Sequence, residues 1–151
     1  MRDTLAKLAV AVGFVLLASC ASSMHQSDQE RRAQYAAYAG PPIQQFTWLG
    51  HFDSWEPLGQ TDLVVFTTPS DAYLLKVWPP CDLRFAFNGR GGGTIGVTST
   101  GGTVSARLDS VIEHSRTVGR AVCPISEIRR VDYRRMLADE RRQAKARQGS
   151  G

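Results

Sequence analysis

The sequence predicts a small β-rich domain, all-β or α+β, built on an antiparallel or barrel-like sheet and ending in a short helix. Three observations carry this prediction. From Phe46 onward, short apolar or alternating runs are separated by Gly, Pro, Ser and Asp. Gly101-Gly102, between two β-prone runs, supplies the positive φ that a tight hairpin needs. After Asp132 the apolar spacing changes, and Tyr133, Met136 and Leu137 fall on one face of a helix. The chain has 151 residues, 42% of them hydrophobic, with Gly 14 and Pro 7. That composition fits one such domain plus some sequence without a core, and excludes collagen, coiled coil and a multi-span membrane protein.

Residues 1–19 read as a targeting segment. Arg2, Asp3 and Lys7 precede an apolar run of eleven residues, LAVAVGFVLLA. A spanning helix needs about 20 apolar residues, so the run matches the core of an export signal instead. Leu17-Ala18-Ser19-Cys20 then resembles the lipobox of bacterial lipoproteins. A thiol can be converted to a diacylglyceryl thioether, and small residues before it admit the chain to the signal peptidase. The resemblance implies a mature chain starting at Cys20, with lipid on its sulfur and a fatty acyl group such as palmitate on its amino group. Two or more chains give stable anchoring, since each buried methylene contributes about 0.8 kcal/mol. Ala21 stands where an Asp would favour inner-membrane retention, so the resemblance points to the outer membrane, with the domain on the periplasmic side.

Residues 20–45 are rich in Ser, Gln, Ala and charge, with Gly40-Pro41-Pro42 as a breaker. They read as a flexible tether with at most a short helix at 28–39, holding the domain roughly 25 to 30 Å from the lipid. The β-rich domain is expected over 46–131. Its strands are expected at 46–55, at 62–68 and from Tyr73 to the Pro79-Pro80 stop, the last two as a hairpin across Thr68-Pro69-Ser70-Asp71. A second hairpin is expected to join 94–98 to 103–112. In its second strand Val104, Ala106, Leu108 and Ile112 are assigned to the core and Ser105, Arg107, Asp109 and Glu113 to solvent. A last strand at 125–131 leads into 132–151, read as a basic helix and a solvated tail.

Three cysteines less the lipidated one leave Cys81 and Cys123 in an oxidising compartment, which predicts a disulfide between them. No Cys-x-x-Cys spacing or clustered His supports a redox or metal role, so no metal and no cofactor is expected. Net charge is +4 over the whole chain. The basicity is local: from Glu127 to the end there are four acids against eight bases. Arg129, Arg130, Arg134, Arg135, Arg141, Arg142, Lys145 and Arg147 form that cluster. A solvated face is the ordinary reading, and contact with anionic lipid headgroups the functional one. A nucleic-acid partner is not expected.

The stretches FDSWEPLGQTDLVVFTTPSDAYLLKVWPPCDLRFA, TIGVTSTGGTVSARLDSV and CPISEIRRVD resemble a domain of unknown function found in short exported proteins and lipoproteins of proteobacteria. The likeness spans about residues 52–132 and is carried by Tyr73-Leu74-Leu75, Pro80-Cys81, Asp109-Ser110-Val111 and Cys123 with Ile125 and Ile128. It implies fold and export, and gives no catalytic residues.

Chemistry is thinly signalled. Gly91, Gly93 and Gly96 fit G-x-G-x-x-G on paper, but Thr94 to Thr98 is β-prone where the dinucleotide motif needs a helix. His51 with Asp53, or His114 with Asp109 and Ser110, has the residue types of a hydrolase, a base near a hydroxyl and a carboxylate. Trp48, Trp55, Tyr73 and Trp78 are core candidates, any exposed one being a glycan or peptide contact. The expectation is a non-catalytic binding or structural module of the cell envelope, with an envelope protein or glycan as partner. The alternatives are a small hydrolase using His51 or His114 and an accessory or inhibitor of a secreted enzyme.

Overall fold

A computed structural model describes residues 27–83, 94–115 and 119–149. Cys20 and the rest of the export segment, together with Gly91 and Gly93, lie outside the described residues. In chain order the elements are α1 (Asp28–Ala37), β1 (Ala39–Ile43), β2 (Gln45–Thr47), β3 (Ser54–Pro57), β4 (Asp62–Thr68), β5 (Asp71–Val77), β6 (Thr94–Val97), β7 (Thr103–Ser105), β8 (Ser110–Ser115), β9 (Gly119–Val131) and α2 (Tyr133–Gln148). Seven strands make an antiparallel sheet curled into a half-barrel, in the order β3-β4-β5-β9-β8-β6, with β1 also on β9. β2 and β7 form a separate two-stranded ribbon.

The spine is β9. Its first half pairs with β8, from Ser115↔Gly119 to Ser110↔Pro124. Its second half pairs with β5, from Val77↔Ile125 to Ala72↔Val131, and with β1. A bulge falls where the halves meet, because the register shifts between Lys76 and Val77 and passes over Ser126. Such an extra residue bends and twists a strand, which is how one thirteen-residue element serves both sides of the curl. Pro41 and Pro42 survive in β1 because it is an edge strand, where a missing N–H costs no ladder bond.

β4 and β5 bury both faces. Leu63, Val65, Leu75 and Val77 point into the curl, with Phe46, Val97, Val104, Val111, Ile125 and Ile128. Val64, Phe66, Ala72 and Leu74 point the other way, under Tyr35 of α1 and Met136 of α2. The unbroken run Leu63-Val64-Val65-Phe66 therefore reads correctly as a strand covered on both sides.

The segment expected to be a tether over 20–45 is built into the domain from Asp28. Ser27 caps α1 in a capping box with Glu30, and Tyr35 is buried. The polar composition hid this because only one face of a ten-residue helix is needed to cover the sheet. At the other end, α2 begins after Asp132 as expected and continues to Gln148.

The second predicted hairpin is half right. Thr100 and Thr103 exchange backbone hydrogen bonds across Gly101 (φ 60) and Gly102 (φ 75), but β6 then pairs with β8, and β7 with β2. The predicted strand over 103–112 breaks at Arg107, whose φ is 68. A non-glycine residue there is uncommon, and the reversal is held by Arg107 N–H to the Ile125 carbonyl at 2.7 Å and Ile125 N–H to the Asp109 carbonyl at 2.9 Å. Past this break the faces are exchanged. Leu108, expected in the core, is 85% exposed, whereas Asp109 and Glu113, expected in solvent, are buried.

Candidate functional site

The disulfide closes the mouth of the curl. Cys81, just after β5, is joined to Cys123 of β9, with Cα atoms 5.7 Å apart. Cys123 lies fully in the core between Val111 and Ile125, so the bridge ties the chain leaving β5 to the half of β9 that carries β8.

Asp109 is the other buried polar staple. Its carboxylate accepts from Thr98 Oγ1 at 2.8 Å and from the Ser105 N–H at 2.8 Å, and Thr98 Oγ1 accepts from the Ser110 N–H at 2.8 Å. With both oxygens used in fixing the β7–β8 reversal, Asp109 is a structural carboxylate. His114 is exposed on the convex face of β8, opposite Thr94 and Arg120. Val111 and Glu113 point the other way, into the curl. His51 is exposed in the loop between β2 and β3. Neither hydrolase arrangement is assembled.

Glu113 is buried opposite Ile95 and Ala121, with Asp82 as the nearby charge. Desolvation first, and the Asp82 carboxylate second, push its carboxyl above the ordinary value. A raised folded value means the folded protein binds this proton more tightly than the unfolded chain. Stability then falls as pH rises from the unfolded Glu value, about 4.3, through the raised folded one, and levels off above it. Glu113→Gln is expected to flatten that fall and to leave the variant the more stable form at pH 8. Urea midpoints between pH 4 and pH 8 check this, and parallel profiles for the two proteins would refute it.

The larger of two clefts on the helical side, about 690 Å³, lies where the C-terminus of α1, the β4–β5 turn, the end of β9 and the start of α2 meet. The turn is preorganised. Thr68 Oγ1 accepts from the N–H groups of Ser70 at 3.3 Å and Asp71 at 3.1 Å, and donates to Asp71 Oδ2 at 2.9 Å. Arg130, on β9 opposite Tyr73, donates to Asp71 Oδ1 at 2.9 Å. Arg134, in the first turn of α2, donates to Ser70 Oγ at 3.2 Å. The Thr68 hydroxyl and then the Arg130 guanidinium hold the Asp71 carboxyl below the usual carboxylate range. Arg135 completes the wall. The Asp132 carboxylate caps its backbone N–H at 3.1 Å, so helix α2 absorbs that charge. Three arginines thus line one cleft that holds Asp71 as the paired acid, and guanidinium groups are suited to charge-assisted hydrogen bonds with a carboxylate or phosphate.

A second cleft, about 510 Å³, is lined by Arg31, Asp53, Trp55, Glu56 and Tyr133 among others. Glu56 is its paired acid. Arg31 pairs with Glu56, and the Tyr35 hydroxyl donates to Glu56 at 3.3 Å. Burial, with Glu56 beside it, pushes that hydroxyl above its ordinary value. Asp53 lines this cleft without His51.

Of the other predicted residues, Phe46 stacks on Tyr73 with centroids 4.4 Å apart, and Trp48 packs on Phe52. Trp55 also lies against the core, while Trp78 is 54% exposed. Gly96 sits inside β6 with no helix after it, so the nucleotide motif lacks its context. From the sequence, Arg130, Arg134 and Arg135 are legible only as part of a charge cluster. Ser70, Asp71 and Tyr38 were missed, although Thr68-Pro69-Ser70-Asp71 had marked the turn that presents them. Among the described residues, no three His, Cys, Asp or Glu side chains are placed to hold a metal, and no helix is long and apolar enough to cross a membrane.

A model of a family of unknown function, DUF6491, matches residues 1–148, more of the chain than the stretches that first suggested a resemblance. The chain belongs to that family. No curated protein and no solved structure matches it.

Proposed function

We propose that this DUF6491 protein is an exported lipoprotein, acylated at Cys20 and held at the periplasmic side of the outer membrane, where it serves as a non-catalytic binding module of the cell envelope. The observation that carries export is the Cys81–Cys123 bridge, since structural disulfides belong to oxidising compartments. Leu17-Ala18-Ser19-Cys20 supplies the anchor. The binding role draws its support from the cleft of Arg130, Arg134 and Arg135 around Ser70, a preformed concave site suited to an acidic group on an envelope protein or glycan.

Metabolic labelling with a fatty-acid probe tests the anchor: the wild type is expected to be tagged and Cys20→Ala is not. Equal labelling of the two would end the lipoprotein reading. For the binding role, crosslinking in intact cells compares the wild type with the double variant Arg130→Gln/Arg134→Gln. Loss of crosslinked species with melting behaviour retained supports the cleft, and an unchanged crosslinking pattern removes it.

A further inference from the structure

We infer that the C-terminal half of α2 is a second membrane contact, lying against anionic phospholipid headgroups beside the lipid anchor; this rests on Cys20 being acylated. Only seven residues lie between Cys20 and the start of α1 at Asp28, and seven residues span at most about 25 Å even when fully extended. The N-terminus of α1 therefore stays close to the bilayer surface.

α2 starts where α1 stops, with the Asp132 N–H bonded to the Tyr38 carbonyl at 2.9 Å. It then runs back along α1, so that Asp139 accepts from the Tyr38 hydroxyl at 3.0 Å and Glu140 accepts from Gln34. Eight further residues follow Glu140 before the helix ends at Gln148, about 12 Å at 1.5 Å per residue. They continue toward the end of α1 that leads to the anchor. The Arg-lined cleft, at the opposite end of the helix pair, is left facing away from the membrane.

Every residue from Arg141 to Gly149 is exposed. This half of α2 carries Arg141, Arg142, Lys145 and Arg147 and no acid. Of the acids nearby, Asp139 is paired with Arg142, and Glu30 is turned onto the Ser27 N–H. Asp28, Glu30 and Glu140, the last two held only by neutral donors, keep their negative charge, so the cationic excess lies in the stretch beyond Glu140. Each Lys or Arg held near an anionic surface favours contact about five-fold, and the attraction acts over about 10 Å at 0.1 M salt. The tether is short enough to let these side chains come within that range.

Lysine reactivity reads this out. The mature chain carries Lys76 and Lys145, both exposed, so Lys76 is the internal control. The acylated full-length product is reconstituted into vesicles of phosphatidylcholine alone or with 30% phosphatidylglycerol (about a third anionic lipid) and treated with an amine-acylating reagent. The expected result is a slowing of Lys145 labelling relative to Lys76 by about three-fold or more on anionic vesicles only. High salt, or the double variant Arg141→Glu/Arg147→Glu, is expected to abolish it while the protein stays on the vesicles. Equal ratios on both vesicle types overturn the contact and leave the anchor standing. Failure to float with either vesicle overturns the acylation reading and this one together.

Discussion

Replacing both Cys81 and Cys123 with Ala is expected to lower stability by about 4 kcal/mol, the chain-entropy value for bridging residues this far apart, and the melting temperature by roughly 15 °C. The two cysteines are 42 apart in sequence. The bridge acts at a place where the ladder is thin. The chain leaves β5 after Val77 and re-enters the described sheet only at β6, while Cys123 belongs to the half of β9 that β5 does not pair with. Without the bond, the backbone ladder between this edge of the chain and β9 ends at Trp78, whose N–H donates to the Pro124 carbonyl at 3.0 Å. Thermal melting with and without reductant checks this. A reductant effect under about 1 kcal/mol would mean that the bridge does not constrain the unfolded chain as the entropy argument requires.

Asp109→Ala is expected to cost about 3 kcal/mol, because two hydrogen bonds to a charged, buried acceptor are lost and the Ser105 N–H is left without a partner. His114→Ala, on the exposed face of the neighbouring strand, is expected to change stability by less than about 0.5 kcal/mol. The contrast separates the two roles once assigned to this region. If Asp109 served His114 in catalysis, the His variant would abolish an activity while the Asp variant stayed folded. If Asp109 fixes the reversal at Arg107, the Asp variant unfolds early and the His variant is silent. Denaturant midpoints for the two variants decide between them.

The sequence read well wherever burial is two-sided or capping is local. Leu63-Val64-Val65-Phe66 and Tyr73-Leu74-Leu75 identify the β4–β5 hairpin, and Asp132 marks the start of α2, because these signals lie within a few residues of the structure they specify. Reading failed where pairing is non-local. β1 was hidden by two prolines that only an edge strand tolerates, and the first half of β9, before the expected strand at 125–131, by Arg120 and Val122 on the uncovered outer face. The exchange of faces after Arg107 comes from bonds to Ile125, eighteen positions away, which no alternating pattern can foretell. The cleft was legible only in part for the same reason. Arg130 and Arg134 are adjacent to Ser70 and Asp71 because β5 pairs with β9 and α2 follows at once, and this juxtaposition joins residues about sixty positions apart.

The position of β9 also constrains how the protein comes into being. A polypeptide delivered N-terminus first presents β1 and β5 long before their common partner arrives, since that strand ends at Val131. Until then only the β3–β4–β5 meander can persist, with Leu75 and Val77 uncovered, and closure waits on contacts of long sequence separation, which form slowly. Nascent chains should therefore linger in an unfinished, sticky condition, and helper proteins that shield greasy segments in transit would matter more for this molecule than its modest length suggests.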